Sequence, residues 1–384
     1  MADVFIEGPD ATKLLAWSSA NNYEKFAVGQ AKQYVSVSSD GNLIQDGILV
    51  RLDDNHYNLI GIGTAATWVA YLAQQGGYDV NLTFDPPSSY REGPPTLFRY
   101  QVQGPNAGEM LAKLFGDQLD EIKFFHFREV TLDGHKFNAL RHGMAGQAGF
   151  EFFGPWESAE AVQQALLSAG EPYKIAKVGG KAYYSAGVDS GWLATPVPAI
   201  YTQAELEGFR SFASLYSYEG QGALHGSFYS PNIEDYYCSP YELGYGRSIS
   251  FNHDFHGKEA LEASKGRADL RQKVTLVWNA EDVKRVFGAD HDFILSYTKD
   301  RVEDDGALVG ISQYATYMDP SGTVHSLALV AKDKAEPGTE LTVLWGQHPG
   351  PNAEAGLVPS FEKIRATVAS APYNEVARTS YRAH

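Results

Sequence analysis

A tyrosine placed just after a pair of glycines is the residue of this chain best suited to handle a proton. Tyr183 lies in residues 178–192, VGGKAYYSAGVDSGW, behind Gly179 and Gly180, beside Lys181, and ahead of Asp189 and Trp192. A phenol ionises near pH 10, so it can share its proton with a leaving group of similar basicity as charge develops there. On residue type alone, the ordinary alternative is a buried tyrosine whose hydroxyl meets a backbone carbonyl. A second dense stretch, RHGMAGQAGFEFFGP at 141–155, surrounds a single acid, Glu151, with glycines. That pattern reads as backbone bent round a ligand, and a solvent-facing strand residue is the plainer alternative.

The elements needed to hold these residues can be traced along the chain. VFIEGPDATKLL at 4–15 recurs in weaker form as YQVQGPNAGEMLAKLF at 100–115. In both, an alternating strand ends at Gly-Pro and a helix follows, with proline near the first turn, where its missing N–H costs little. FEFFGPWESAEAVQQALLSAG repeats the step. Val162, Ala165, Leu166 and Ala169 fall on one helical face, and Gly170 is expected to stop the helix. HYNLIGIG, KFNALRHG and YKIAKVGG supply intervening strands. Repeated strand-helix units of this kind predict an α+β fold of tandem ferredoxin-like units. From about Gln272 the texture changes to strands and turns (KVTLVWN, GALVGISQYATYMD, HSLALVAKD, TELTVLWG), predicting an all-β C-terminal domain. The expected regions are 1–120, 121–270 and 271–384.

Composition bounds the function classes. The chain has 384 residues, 43% of them hydrophobic, enough for two or three domains with sizeable cores. A net charge of −16 with no basic run argues against a nucleic-acid surface, and means that an anionic ligand must be met by local donors. Cys238 is the only cysteine, which excludes an internal disulfide framework. With no signal-peptide pattern and no apolar run near 18 residues, the expected location is the cytoplasm, away from membranes.

Rival motifs are weaker. NLIGIGTAATWVAYLAQQGGYDVNLTFD carries Gly61-x-Gly63-x-x-Ala66 between a strand and a helix and ends a second strand at Asp85, the outline of a dinucleotide-binding fingerprint. The loop DPPSSYREGPP follows where another helix-strand unit would be needed, so a packed strand-helix junction requiring small residues is preferred. His253 and His256 lack the further ligands of a metal site, and no metal is expected. No G-x-S-x-G elbow or phosphate-binding P-loop occurs. The aromatic run at 216–245 reads as packing more than as a carbohydrate face.

Taken in order, FIEGPDATKLL, AKQYVSV, GNLIQDGILV, QVQGPNA, GQAGFE, VGGKAYYSAGVDSGW, SPNIEDYYCSPYELGYG, DFHGKEAL and TELTVLWG resemble the aminomethyltransferase superfamily over nearly the whole chain. Within it, they are similar to tetrahydrofolate-dependent aryl-methyl-ether O-demethylases of the vanillate, 3-O-methylgallate and syringate type. The resemblance implies two interleaved α+β domains and a small β-barrel, three lobes around a central folate site. It implies transfer of a methyl group from a methoxylated aromatic acid to tetrahydrofolate in aromatic catabolism, with Tyr183 as the acid next to the ether oxygen. Glu151 matches the pterin-pairing glutamate. Gln101 and Trp192 match positions lining the folate pocket, with Arg99, Trp345 and Tyr34 as looser candidates, Tyr34 on the substrate side. Asp46, flanked by Gly47, matches the general position of the aminomethyltransferases' catalytic aspartate, and is assigned here to the substrate side.

Three departures accompany the resemblance. Met1 matches a point roughly sixty residues into the family pattern, so the first strands of the first region are expected to be absent. Tyr184 stands where the relatives carry proline. Ile62 occupies the substrate-side position of an arginine that takes part in catalysis, and isoleucine can neither bind a carboxylate nor stabilise a phenoxide. An amine- or sulfonium-directed member of the superfamily, or a folate-binding protein without turnover, are the alternatives these departures keep open. Monomer and homodimer are equally compatible with the sequence.

Overall fold

The computed structural model describes residues 1–143, 147–288, 294–351 and 360–379. Residues 144–146 of the glycine-patterned segment before Glu151 lie outside them. Three sheets organise the chain.

The first sheet comprises β1 (Ala2–Glu7), β2 (Gln30–Val37), β3 (Leu43–Asp53), β4 (His56–Gly61) and β5 (Asn81–Asp85), in the order β2-β3-β4-β1-β5 with antiparallel neighbours throughout. Helices α1 (Ala11–Ser18) and α2 (Gly63–Gly76) cover it. Trp68, Val69 and Leu72 of α2 recur at helical spacing and are buried with Leu14, Leu15 and Leu59. Ala65 and Ala66 let the helix approach the sheet, and Gly77, in the left-handed region at φ 59°, ends it with its N–H donated to the Ala73 carbonyl. β4 and β5 are both antiparallel to β1, which lies between them, and so are parallel to each other. The Gly61-x-Gly63 turn therefore belongs to a split β-α-β unit of ferredoxin-like type. A dinucleotide-binding unit would instead set the two parallel strands side by side.

The second sheet runs β6-β9-β8-β7, from β6 (Leu97–Gln103), β7 (Phe127–Leu132), β8 (His135–Arg141) and β9 (Gly149–Pro155), with α3 (Ala107–Phe115) and α4 (Ala159–Gly170) on one face. The first sheet accordingly ends at Asp85. β6 and α3, expected in a region reaching residue 120, are hydrogen-bonded or packed within the second. Period-two alternation divides the strands: Phe98, Phe137 and Phe152 face the helices with Met110, Val162 and Leu166, whereas Phe153 and Leu140 face Ala31, Val50 and Ile60 of the first sheet. Arg99, Gln101 and Glu151 belong to that second face, so polar groups are carried into the junction of two sheets. Gly170 does not release the chain at once, because a 3-10 turn follows at Glu171–Tyr173. A Cβ there would meet Ile175 at 2.6 Å.

Helix α5 (Gly180–Asp189) comes next, then a loop, a 3-10 turn at Ala204–Leu206 and a short helix α6 (Glu207–Phe212) that return to the first sheet, burying Ile200, Leu206 and Phe209 in its core. This return is the interleaving of the two α+β units. The last sheet contains β10 (Gln272–Trp278), β11 (Leu295–Ser296), β12 (Asp300–Asp304), β13 (Ala307–Met318), β14 (Thr323–Val330), β15 (Glu340–Trp345) and β16 (Glu362–Ala369). Its order β13-β12-β15-β16-β10-β14 closes through a β13–β14 pairing, giving a six-stranded barrel with short β11 added on β13. Val274, Leu276, Val302, Val324, Val343 and Ile364 fill it. No helix among the described residues is long and apolar enough to cross a membrane.

Candidate active site

Arg99 of β6 is the hub where the first two sheets meet. Its guanidinium donates to Asp3 of β1 at 2.6 Å, to Asn58 of β4 at 2.6 Å and to Glu151 of β9 at 2.9 Å, and stacks over Phe153 at 5.2 Å. Burial works against this charge, but the Asp3 and Glu151 carboxylates outweigh it and raise the Arg99 pKa. Gln101 stands directly opposite Glu151 in the β6–β9 register. Around this junction the buried donors Arg99 Nε, Gln101 Nε2 and Asn58 Nδ2 have no hydrogen-bond partner among the described residues. Buried polar groups are normally paired. Orphaned donors beside a carboxylate that turns one oxygen to Arg99 form a donor-acceptor edge suited to a flat heterocycle with amide and amine groups, as a pterin has.

Tyr183 enters from α5. Burial, and then the Glu151 carboxylate, push the Tyr183 phenol above its ordinary value near 10, while Arg99 pulls the other way. The phenol is thus held protonated and within electrostatic reach of the Arg99–Glu151 pair. The barrel seats this helix. Tyr314 of β13, 2% exposed, donates its hydroxyl to the Tyr184 carbonyl, and a Cβ on Gly187 would come within 2.8 Å of the Tyr314 ring and hydroxyl. Glycine at 187 is therefore what lets α5 lie against β13.

At the other end of α5, Trp192 donates its indole N–H to Asp46 Oδ2 at 2.7 Å. The same oxygen accepts from Gln33 at 2.7 Å and Tyr245 at 2.6 Å, and Gln45 donates to Oδ1 at 3.1 Å. Burial raises the Asp46 pKa against the pull of these bonds. Asp46, expected on the substrate side, is 1% exposed, and its Oδ2 fixes the indole of Trp192. Asp3, Asn58, Gln33 and Tyr245 were not anticipated from sequence. Tyr245 lies in the aromatic run read as packing, and Asp3 and Asn58 look like ordinary strand polars.

The remaining expected positions are scattered. Tyr34 is fully buried in the core of the first sheet and donates to Ser18 Oγ at 2.8 Å, so it offers no surface to a substrate. Trp345 packs in the barrel against Trp278 and Phe287, at ring distances of 5.7 and 5.2 Å, rather than beside Glu151. Ile62 is the N-cap of α2, following Gly61, which pairs with Gly47 next to Asp46. His253 bonds the Ala16 and Ser19 carbonyls and His256 the Val37 carbonyl. Among the described residues no group of three or more His, Cys, Asp or Glu is placed to hold a metal.

The GCVT N-terminal domain matches residues 1–196. The chain belongs to this aminomethyltransferase family, and is an enzyme of one-carbon transfer. It is 37% identical to the syringate O-demethylase of Sphingobium sp. strain SYK-6, over 99% of this chain and 86% of that protein. It is 29% identical to the sesamin methylene transferase of Sinomonas sp. strain No.22, over 98% of this chain and 84% of that one. The crystal structure of the glycine cleavage system aminomethyltransferase T from Bartonella henselae superposes with a TM-score of 0.62 at 19% identity, covering 97% of this chain and 83% of that chain, and shares its fold.

Proposed function

We propose that the protein is a tetrahydrofolate-dependent O-demethylase acting on a methoxylated aromatic acid of the syringate or vanillate kind. The observation that carries this reading is the gathering of Tyr183, Glu151, Arg99 and Gln101 at one junction, in a chain similar over almost its whole length to a syringate O-demethylase. Tetrahydrofolate, when bound, supplies an amine nitrogen that accepts the methyl group. Glu151 and Gln101 would hold its pterin edge, Arg99 would keep Glu151 oriented, and Trp192, fixed by Asp46, would form a wall of the pocket.

The reaction breaks the methyl carbon–oxygen bond and leaves its electron pair on the aryl oxygen. That oxygen is a poor leaving group unless it gains a proton as charge develops. Tyr183, kept protonated by burial and by Glu151, would deliver the proton at that atom, and the product is a phenol. In-line alignment of donor and acceptor across the same junction would supply the rest of the acceleration.

The test is incubation of the purified protein with tetrahydrofolate and a panel of methoxybenzoates, with detection of 5-methyltetrahydrofolate and the matching phenol. Both products in equal amount are expected. Tight folate binding with no product from any methoxyarene would replace this reading with a folate-binding protein without turnover.

A further inference from the structure

Beside Tyr183 the protein exposes aromatic rings that the proposed machinery does not use. Tyr184, the next residue on α5, is 45% exposed, and its ring lies 6.1 Å from that of Tyr183. Tyr297, just after β11, is 37% exposed and meets Tyr184 edge-on, at 6.1 Å and 89°. Behind them, buried Tyr314 lies 5.0 Å from the Tyr297 ring and holds the Tyr184 carbonyl through its hydroxyl. The outer pair is thus open to solvent while its base is fixed to a barrel strand. Tyrosine offers a large apolar area with few torsions to freeze, and edge-on pairing leaves ring faces open to stack a further ring.

We propose that Tyr184 and Tyr297 form the wall that receives the aromatic ring of the methyl donor. The inference rests on the demethylase reading and adds to it the surface that recognises the aryl group. The ether oxygen of the donor must stand at the Tyr183 hydroxyl, so its ring must lie within one ring's breadth of that point, and Tyr184 and Tyr297 continue the aromatic surface outward from there.

The experiment compares the parent with Tyr184→Leu, Tyr297→Leu and the conservative Tyr184→Phe. Syringate and tetrahydrofolate binding are each measured by calorimetry, with turnover read separately. Loss of a stacking partner should weaken syringate binding about 3- to 10-fold in either leucine variant, with Tyr184→Phe close to parental and folate affinity unchanged in all. Syringate affinity equal to the parent's in both leucine variants overturns the inference, as does a loss confined to folate, which would assign the rings to the acceptor. A parent that binds no methoxyarene also overturns it. If the parent binds syringate through these rings yet makes no 5-methyltetrahydrofolate, the wall stands and the demethylase reading falls. If the parent turns over and the leucine variants keep its affinity for syringate, only the wall falls.

Discussion

Arg99 ties three strands and two sheets through one guanidinium, and its placement makes Glu151 more than a strand acid. With one carboxylate oxygen on Arg99, Glu151 has the other available, among the described residues, for a ligand donor. Replacing it by glutamine keeps the shape but removes the charge from a ligand hydrogen bond, a change worth about 1.5–3 kcal/mol. Glu151→Gln should therefore bind tetrahydrofolate roughly 10- to 150-fold more weakly. Titration giving the parental dissociation constant would remove Glu151 from the pocket. At this scale, side-chain alternation was the legible signal: Arg99, Gln101 and Glu151 share a face because strands alternate, and the glycines around Glu151 drew notice to it. Asp3 and Asn58 were invisible because a partner on another sheet leaves no local trace. Tyr34 misled because an isolated tyrosine in a strand reads the same whether its face meets a ligand or a core.

Helix α5 is the element on which the account turns, since Tyr183 stands on its first turn and Trp192 just beyond its end. The diglycine entry was readable in VGGKAYYSAGVDSGW, but the helix was not: YKIAKVGG read as a strand, and no strand forms there before α5 begins at Gly180. Nor was the reason for Gly187, because it lies in a tyrosine 127 positions along the chain. A Cβ at 187 overpacks against the pinned Tyr314 ring, which should cost about 1–3 kcal/mol and displace α5. Gly187→Ala is expected to lower the melting temperature and to lower kcat more than it changes the KM for folate. The same substitution made in a Tyr314→Leu background should cost at least about 0.5 kcal/mol less, because the ring it strikes is gone. Equal costs in the two backgrounds would show that the glycine serves some other contact. The dinucleotide-like Gly61-x-Gly63 turn shows the same limit of local reading, since only the strand inserted between β4 and β5 tells a split unit from a nucleotide fold.

Across the whole molecule, three sheets with separate cores converge on α5 and the Arg99 junction. The change from strand-helix units to an all-β region near residue 272 was legible in texture, its closure into a barrel only through the family resemblance, and the division between the first two sheets was hidden by their similar strand-helix repeats. The barrel also carries a pH liability. His325 of β14 is 1% exposed, packs on Tyr373 at 4.4 Å, and has no hydrogen-bond partner among the described residues; burial lowers its pKa to about 4. Its folded value lies below the unfolded value near 6.5, so the unfolded chain binds the proton first. Stability is retained above pH 6.5 and lost as pH falls towards 4, by roughly 3 kcal/mol. Asp189 and Asp300, raised to about 6 by burial, act in the opposite sense, so the difference between parent and His325→Leu isolates the histidine. Denaturant melts from pH 7 to 4 should show the parent losing stability relative to that variant, and a constant difference would contradict the assignment. Methyl transfer assisted by Tyr183 at this convergence can be measured by single-turnover transfer from syringate carrying a carbon-13 methoxyl group to tetrahydrofolate. The parent should move the label into 5-methyltetrahydrofolate, and Tyr183→Phe should slow that step by about 10²–10⁴-fold while binding folate as the parent does. Label transfer by Tyr183→Phe at the parental rate would mean that Tyr183 does not deliver the proton.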